Sequence, residues 1–507
     1  MRVRAVSSGR EPHPSGRLPP VTHLDSSDEA ALWAWVADYA QQYRASLGAR
    51  AVAASADSQA IAQRLNELES LPQQGSSALE CIQELVALAE PGIAAMSGPR
   101  FAGWVTGGTL PAALAADWLT STWDQNAGVG EGAPAATAFE NAALAWVVGL
   151  LGLPSTVKGT LVTGAMSANF SCLAAARNQV LEAEGWDVQQ RGLFGAPPVR
   201  ILVGHERHET IDKAVRLLGF GKQALSCLQV DGQGRLRSAV LERELERATG
   251  PVVVCAQAGN VNSGAFDPLG EIAECVQNHR ERRGPGSIWL HIDGAFGLWV
   301  RAADSQAPEL SALAAGAEHA DSWATDAHKV LNVPYDSGIA LCREPRSLRR
   351  AMEIGGAYLN SGQQRTTFQP ALLSPELSRR ARGFALWAAL RQLGASGVSA
   401  LVARYADNAR SFARAVSGHP GLRVLNEVCF NQVVVLVEAP NGSDPAAWTT
   451  RVVRALQAEG TCYATPSYWH GSPVIRFSFC NASTTVADTQ AMADALVRVC
   501  GEALADP

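Results

Sequence analysis

The chain contains only four lysines, so chemistry that needs a reactive amine has few candidates. They are Lys158, Lys213, Lys222 and Lys329. An amine that can lose its proton is able to form a Schiff base with a carbonyl group. Lys329 follows His328 among polar residues, where a strand is expected to end and a loop to begin. A lone His-Lys pair is also typical of a solvated surface, so the neighbouring segments must decide its role.

A carboxylate ends an apolar run upstream of this lysine. The run 289–292 leads into Asp293, Gly294 and Ala295, and ligands of open α/β sheets bind at the carboxyl ends of strands. A carboxylate there can keep a pyridine nitrogen protonated, which makes the ring an electron sink. Ala295 is small enough for a flat ring to lie against the backbone. An aspartate in this position can equally cap the turn that follows it.

Two more segments read as a strand followed by a helix. In the segment 159–169, an apolar run, a glycine turn and a helical pattern predict a helix N-terminus that binds a phosphate group, although many βα turns share this pattern. In the segment 201–214, His208 falls in the first turn of the predicted helix. Its ring could stack on a cofactor, or it could cap the helix. An amine, a carboxylate, a phosphate turn and a stacking ring together favour pyridoxal 5'-phosphate (PLP) as cofactor.

Composition agrees with small-molecule chemistry. The 507 residues are 47% hydrophobic, which is enough for two or three packed units, and the net charge of −6 favours neither nucleic acid nor an anionic membrane as partner. No apolar run is long enough to span a bilayer, and no secretory signal is visible. The ten cysteines occur singly, without metal-ligand spacing. We therefore expect a cytoplasmic protein with no metal site.

The pattern of elements predicts an α/β fold. We expect a flexible tail over residues 1–28, a helical segment over 29–95, a large cofactor-binding domain over 96–370 and a small α+β domain over 371–507. Predicted strands at 159–162, 199–203, 252–255 and 288–292 alternate with helices, which indicates a largely parallel sheet covered on both faces. A long helix over 376–393 and strands at 432–437 and 474–479, with a turn at Asn441 and Gly442, are predicted for the small domain.

These segments together resemble the PLP-dependent group II amino acid decarboxylases, which include the aromatic amino acid, glutamate and histidine decarboxylases. The resemblance covers about residues 95–500, and its motifs are 97–104, 116–126, 134–140, the His208 segment, Asp293-Gly294-Ala295 and the His328-Lys329 pair. It implies a PLP-dependent transferase fold of type I, similar to aspartate aminotransferase. It also implies a homodimer with shared active sites, and an N-terminal segment that wraps the partner.

The resemblance also assigns roles to residues. Lys329 matches the Schiff-base lysine, Asp293 the partner of the pyridine nitrogen, His208 the stacking ring and Ala295 the surface on the other face. The remaining matches are Ala165, Met166 and Ser167 at the phosphate cup, Asp326 and His328 near the phosphate, Asn262 near the cofactor ring, Arg476 at the substrate carboxylate and Trp104 in the substrate pocket. Phe101, Trp118 and Trp123 lie in the same stretch as Trp104, which favours an aromatic or bulky apolar substrate, although core packing explains them equally well.

The implied reaction is decarboxylation of an L-amino acid to the amine and CO2. In the family a loop tyrosine donates a proton to the substrate Cα, but here the matching loop has no tyrosine after Tyr358, and its only later aromatic residue is Phe368. Another group, such as His328 or a residue of a partner subunit, would have to donate the proton. Loss of this hydroxyl is associated in the family with oxygen-dependent conversion to an aldehyde, which is one alternative. Aminotransfer and a non-catalytic scaffold are two others.

Overall fold

The structure, a computed structural model, describes residues 26–68, 70–353 and 368–505. The chain divides into two compact units, each of which makes most of its contacts within itself. One unit comprises the residues up to Ser46 together with Ala54–Ile93, and the other comprises Leu47–Ala53 together with Ala94–Pro507. The described part of the first unit is helical. Its helices are α1 (Ser26–Ser46), α2 (Ser58–Asn66) and α3 (Ala78–Ala89). The Asp57 side chain caps α2, and Ser77 and Glu80 form a capping box on α3.

A seven-stranded sheet forms the centre of the second unit. Its strands are β1 (Lys158–Val162), β2 (Arg200–Gly204), β3 (Leu225–Leu228), β4 (Val252–Gln257), β5 (Ile288–Asp293), β6 (Ser322–Asp326) and β7 (Gly338–Cys342). The spatial order is β1-β7-β6-β5-β4-β2-β3, and β7 runs antiparallel between β1 and β6 whereas the other pairs are parallel. The sheet is therefore mixed and mostly parallel, which confirms the predicted fold class. The four strands predicted for this region all form.

Helices cover this sheet on both faces. They are α4 (Pro111–Trp123), α5 (Pro134–Leu150), α6 (Ala165–Ala183), α7 (Val188–Arg191), α8 (Glu209–Leu217), α9 (Ser238–Arg247), α10 (Leu269–Arg283), α11 (Pro308–Ala312) and α12 (Pro345–Met352). Strands β4, β5, β6 and β7 are buried along their whole length, because each is packed on both faces. The carboxyl ends of the parallel strands lie at one edge of the sheet, so the residues that follow them converge there.

A second sheet of four antiparallel strands follows in the chain. Its order is β10-β11-β9-β8, with β8 (Leu422–Val424), β9 (Gln432–Val437), β10 (Thr465–Trp469) and β11 (Ser472–Ser478). Helices α13 (Gly383–Val416), α14 (Pro445–Glu459) and α15 (Val486–Ala505) pack with it around a second core. The predicted turn at Asn441 and Gly442 forms, and it leads into α14. The domain boundary predicted near residue 370 stays a prediction.

The long helix predicted over 376–393 was wrong at its start, whereas its predicted end coincides with a break inside α13. It begins at Gly383 and continues to Val416, with a break at Gly394, whose φ of 62° is left-handed. The residues just before Gly383 are not helical, because buried ion pairs hold them in an irregular conformation. Arg379 binds Glu140 of α5 at 2.8 Å, with both side chains fully buried, and Arg382 binds Asp336 and Glu376. Helix propensity cannot outweigh these bonds.

Neither a membrane span nor a metal cluster is found in the described ranges. None of the helices there is long and apolar enough to cross a bilayer. No group of three or more histidine, cysteine, aspartate or glutamate side chains in those ranges could hold a metal ion.

Candidate active site

A cavity of about 670 Å³ lies at the carboxyl edge of the seven-stranded sheet. All of the predicted site residues except Asn262 line it. The turns after β1, β2, β5 and β6 contribute Ala165, His208, Ala295 and Lys329, and β11 contributes Arg476. Parallel strands bring these residues together although they are far apart in the chain.

The Lys329 amine is held by a buried aspartate at the end of β6. Nζ of Lys329 lies 2.9 Å from Oδ2 of Asp326, whose side chain is 3% exposed. The other carboxylate oxygen of Asp326 accepts a hydrogen bond of 2.6 Å from the backbone N–H of Ala165. Asp326 thus joins the lysine to the N-terminus of α6. Burial by itself lowers the pKa of Lys329, but Asp326 and Asp293 outweigh it and raise the pKa above its ordinary value.

The N-terminus of α6 faces the cavity, as the sequence predicted. Gly164 precedes the helix, and Ala165, Met166 and Ser167 form its first turn. The N–H groups of a first turn have no acceptor within the helix, so those of Met166 and Ser167 are available to an anion. Gly338 of β7 packs so closely that a methyl group on it would collide with the backbone of Gly164. The turn is therefore fixed by its neighbouring strand.

Asp293 ends β5 and is buried beneath the cavity. Oδ2 accepts a hydrogen bond of 3.2 Å from Nδ2 of Asn169, and Oδ1 accepts one of 3.3 Å from the N–H of Ala295. The turn-capping role that the sequence allowed is therefore present as well. Burial raises the pKa of Asp293, while the charges of His208 and Lys329 and the bond from Asn169 oppose that rise.

His208 caps α8 and also lines the cavity. Its Nδ1 accepts a hydrogen bond from the N–H of Thr210 and lies 2.8 Å from the Thr210 hydroxyl. The two roles that the sequence left open are thus compatible, because the cap uses Nδ1 and leaves the ring face open to the cavity. Partial desolvation beside the cavity lowers the pKa of His208, although the residue is exposed, and the Asp293 carboxylate opposes this shift.

His328 and Tyr335 form an aromatic pair beside Lys329. Their ring centroids are 4.3 Å apart, and both residues line the cavity. Nδ1 of His328 accepts a hydrogen bond of 3.1 Å from the N–H of Ser337, and Nε2 lies 3.6 Å from Oδ2 of Asp326. Burial lowers the pKa of His328, and partial desolvation beside the cavity raises that of Tyr335, although 58% of the tyrosine is exposed. Sequence reasoning missed Tyr335, which gave no signal because it follows Pro334 in an irregular segment.

Arg476 reaches the cavity from the second sheet. Its Nη1 donates a hydrogen bond of 3.1 Å to the carbonyl of Val261, and its buried Nε has no hydrogen-bond partner among the described residues. Burial lowers the pKa of Arg476 to about 10. A buried guanidinium with an unsatisfied donor is costly alone, so this site favours an anionic group.

Asn262 was expected near the cofactor ring, but its side chain points elsewhere. It donates to the carbonyl of Tyr468 at 3.3 Å and accepts from the hydroxyl of Ser467 at 2.8 Å. Both partners lie on β10, so Asn262 joins the turn after β4 to the second sheet. The neighbouring Val261 lines the cavity instead.

Of the four aromatic residues in the stretch from Phe101 to Trp123, only Trp104 lines the cavity. It is 47% exposed and packs against Phe101 and Tyr463, with centroids 5.9 and 5.6 Å away. Phe101 is buried, so core packing describes it better. Trp118 and Trp123 are about half exposed on α4, outside the cavity lining.

A single asparagine anchors the loop that carries Lys329. Asn332 has a φ of 51°, and its Nδ2 donates to the Tyr405 hydroxyl and to the Cys480 carbonyl, both at 2.8 Å. Its Oδ1 accepts from the N–H groups of Gly108 and Ala482 at 2.9 and 2.8 Å. Its side chain therefore connects the lysine loop to α13 and to the segment after β11.

The donors and acceptors of the cavity fit PLP. The N-terminus of α6 suits a phosphate, Asp293 suits a protonated pyridine nitrogen, and Lys329 supplies the amine. His208 offers a ring for one face of the cofactor, and Ala295 a small surface for the other. The unsatisfied Nε of Arg476 leaves a site for a second anionic group, such as a carboxylate.

Comparisons with known proteins agree with this chemistry. Residues 62–437 match the model of the pyridoxal-dependent decarboxylase conserved domain. The chain is 26% identical over 354 residues to an aromatic-L-amino-acid decarboxylase of Bacillus atrophaeus, covering 69% of each chain. It is 27% identical over 399 residues to an L-2,4-diaminobutyrate decarboxylase of Rhizobium meliloti, covering 76% of this chain and 75% of the relative.

Solved structures share the fold. Oryza sativa TDC, crystallised with PLP and tryptamine, superposes with a TM-score of 0.84 at 22% identity, over 96% of this chain and 99% of that one. Rhodiola rosea 4-hydroxyphenylacetaldehyde synthase superposes with a TM-score of 0.80 at 22% identity, over 95% and 99%.

The chain therefore belongs to the pyridoxal-dependent decarboxylase family. It is a PLP-dependent carboxy-lyase that acts on an amino acid, as the sequence predicted.

Proposed function

We propose that this protein converts an L-amino acid to its amine and CO2, with PLP held as a Schiff base on Nζ of Lys329. The observation that carries the proposal is the position of Lys329, whose amine lies beside Asp326 in the cavity that Asp293 also lines. None of the other three lysines is buried or lines this cavity. Lys329 is thus the one lysine with the surroundings that the cofactor needs.

The cofactor would be held at three points. The first turn of α6 would bind its phosphate through the backbone N–H groups of Met166 and Ser167, beside Ala165, whose N–H is bonded to Asp326. Asp293 would bind the pyridine nitrogen, and His208 and Ala295 would cover the two ring faces. When bound, the protonated ring draws electrons from the substrate Cα, which lets the bond to the carboxyl carbon break.

The substrate carboxylate would bind Arg476. The guanidinium is buried and its Nε lacks a partner among the described residues, so an incoming carboxylate would satisfy both the charge and the donor. Loss of CO2 then removes this negative charge from the arginine. Apolar groups near it, from Trp104, Val105 and Phe296, would exclude water and favour an aromatic or bulky apolar side chain.

The His328 and Tyr335 pair would return a proton to the substrate Cα. The lowered pKa of His328 leaves its ring neutral, and because Ser337 donates to Nδ1, the ring hydrogen is on Nε2. The raised pKa of Tyr335 keeps its hydroxyl protonated at neutral pH. The Tyr335 hydroxyl could donate the proton that a loop tyrosine donates in the family, whereas His328 could do so only after taking up a second proton, which its lowered pKa disfavours. Tyr358 and the rest of 354–367 lie outside the described residues.

The second candidate function is oxygen-dependent conversion of the amino acid to an aldehyde. The absence of a tyrosine after Tyr358 in the matching loop favours it, and one of the structural neighbours is an aldehyde synthase. Decarboxylation to the amine remains our first proposal, because the cavity contains a proton donor of its own in the Tyr335 hydroxyl.

One experiment tests both candidates. The protein would be incubated with a panel of L-amino acids while CO2, amine, aldehyde and peroxide are measured together. Amine and CO2 without peroxide would support the first proposal, whereas aldehyde with peroxide would support the second. Release of neither CO2 nor aldehyde from any amino acid would contradict both.

A pair of lysine variants tests the assigned attachment site. K329A should lose the absorbance band near the visible edge that the protein acquires with PLP, because its Nζ forms the Schiff base. K213A removes an exposed lysine of α8 and should keep the band. Retention of the band in K329A would contradict the assignment.

A homodimer in the cytoplasm is proposed as the working form. An apolar groove of about 550 Å³ on α4, α5 and α13 is lined by Leu119, Trp123, Phe139, Phe384 and Trp387. We call it the aromatic groove; exposed apolar surface of this kind is typical of an interface. The ten cysteines are all free thiols, as expected in a reducing compartment.

A further inference from the structure

A chain of buried hydrogen bonds runs behind the carboxylate of Asp293. Nδ2 of Asn169 lies 3.2 Å from Oδ2 of Asp293, and Oδ1 of Asn169 lies 2.8 Å from Nε2 of His291. Nδ1 of His291 lies 2.9 Å from the hydroxyl of Ser322, which accepts a bond of 2.8 Å from the indole N–H of Trp289. His291 does not line the cavity.

The positions of the hydrogen atoms in this chain of hydrogen bonds can be assigned by starting at the Asp293 carboxylate. A carboxylate only accepts, so the Asn169 atom next to Asp293 must be the amide nitrogen. The amide oxygen then faces His291, and because it also only accepts, Nε2 of His291 carries the ring hydrogen. Nδ1 is left as the acceptor for the Ser322 hydroxyl, which itself accepts from Trp289. Every donor therefore points toward Asp293.

This chain of hydrogen bonds requires the imidazole ring of His291 to be neutral. A doubly protonated ring would present a donor to Ser322, whose hydroxyl would have to turn away, and the directed chain would be broken. His291, Asn169 and Ser322 are all completely buried. Burial lowers the pKa of His291 to about 3, so the ring is neutral at physiological pH. Asn169 in turn donates to Asp293, which favours the charged form of that carboxylate.

We propose that His291 is a positioning residue that orients Asn169, and through it keeps Asp293 ionised and aimed at the pyridine nitrogen of the cofactor. The inference rests on the proposed role of Asp293 in binding that nitrogen. An alternative is that the chain only satisfies buried polar groups, as most buried networks do. The two explanations differ in whether a substitution of His291 changes the protonation of the cofactor ring nitrogen.

The protonation state of the ring nitrogen tests the proposal directly. The holoenzyme would be loaded with PLP carrying ¹⁵N in the ring, and the ¹⁵N chemical shift measured. We expect a protonated nitrogen in the wild type, a shift toward the neutral pyridine in H291F, and a return toward the wild-type value in H291Q, whose amide can replace the lost donor. H279F is the matched control, because His279 is also buried but its ring has no partner among the described residues.

Cofactor affinity supplies a second readout. H291F should weaken PLP binding by at least about tenfold, corresponding to one pKa unit at the Asp293 carboxylate. Binding of an analogue with carbon in place of the ring nitrogen should change much less, because Asp293 has no nitrogen to bind there. Equal losses for both ligands would show a purely structural role and overturn the inference. If H291F does not fold, N169S and H291Q would be compared by the same two measurements.

The outcomes also separate this inference from the proposed function. A neutral ring nitrogen in the wild-type holoenzyme would contradict the role of Asp293, and with it the basis of the inference. A protonated nitrogen in the wild type that stays protonated in H291F and N169S would overturn only the inference.

Discussion

At the scale of single residues, the site depends on two buried aspartates with different partners. Asp326 binds the Lys329 amine and accepts a hydrogen bond from the N–H of Ala165. Asp293 accepts a hydrogen bond from Asn169 and faces the cavity. The first raises the pKa of the lysine, and the second has its own pKa raised by burial. These opposite environments fit different tasks, because one carboxylate holds an amine and the other is free for a ring nitrogen.

Asp326 should control how fast PLP attaches to the apoenzyme. Only a neutral amine forms a Schiff base, so the raised pKa of Lys329 should make attachment slow at neutral pH and faster as the pH rises. D326N keeps an oxygen for the Ala165 N–H but removes the charge, which should lower the lysine pKa and move the rate profile to lower pH by about 1–3 units. The measurement is the appearance of the cofactor absorbance over a pH series.

D321N provides the control for this profile. The side chain of Asp321 is 15% exposed, and it lies at the other end of β6, where it binds Arg280. Its variant should keep the wild-type pH dependence. Superimposable profiles for D326N and the wild type would show that Asp326 does not set the lysine pKa.

Tyr335 should determine the fate of the substrate after CO2 leaves. If its hydroxyl donates the proton to Cα, Y335F should form amine at least about 100-fold more slowly, the range for loss of a general acid. Any aldehyde and peroxide should become a larger share of the product. The control is Y468F, which removes a hydroxyl from an exposed tyrosine outside the cavity lining. An unchanged rate in Y335F would exclude Tyr335 as the donor and leave a protonated His328 or a residue of a partner subunit.

The sequence predicted the residues of this site better than the bonds between them. Lys329, Asp293 and His208 follow strands, so their types and positions were enough to place them at one edge of a sheet. Asn262 fits the same pattern, but its amide bonds to β10, a partner far along the chain. Tyr335 and Asn169 were missed because an irregular loop and a helix interior show no periodic signal for function.

At the scale of elements, strand β7 holds the cofactor turn against the lysine strand. It pairs with β1 on one side and β6 on the other, so that Gly338 lies opposite both Val162 and Asp326. The antiparallel direction of β7 brings its first residue to the edge where the parallel strands end. The sequence did not predict this strand, because the short run 338–342 resembles any buried apolar stretch.

Gly338 should tolerate no side chain. G338A places a methyl group into the backbone of Gly164, which cannot move without shifting the first turn of α6. We expect a loss of about 1–3 kcal/mol in the free energy of unfolding, and weaker PLP binding. Thermal unfolding with and without PLP, and cofactor titration, would measure the two effects.

The control is the same substitution in α5. Gly149 has no atom within 4 Å of an added methyl group, so G149A should be neutral or stabilising by about 0.5–1 kcal/mol. A G338A protein as stable as G149A, with unchanged cofactor affinity, would contradict the close packing of β7 on the turn.

At the scale of the whole molecule, the aromatic groove is a surface lined almost entirely by apolar side chains. Two of its residues, Leu119 and Trp123, are 46% and 48% exposed, although burial of such side chains is favourable by about 1.5–3 kcal/mol each. The predicted homodimer would bury them. The sequence could not locate this face, because an apolar helical stripe reads the same whether it packs within the chain or against another.

A charge in the groove should weaken the dimer. L119E puts a carboxylate on the apolar surface and should move the molecular mass in solution from that of two chains toward that of one, as measured by sedimentation equilibrium. F194E changes a side chain that is 98% exposed outside the groove and should leave the mass unchanged. A monomeric wild type, or a fully dimeric L119E protein, would exclude this groove as the interface.

The hydrogen bonds of the Asn332 amide have a consequence for how the enzyme loses activity. Because one side chain joins the lysine loop to Tyr405 and Cys480, the loop cannot loosen while those partners stay in place, and their separation releases the loop. Inactivation by heat and release of the cofactor should then be one cooperative event with a single rate. The time for which the stored enzyme keeps its activity would depend on the hydrogen bonds of Asn332, and excess PLP would lengthen that time by mass action.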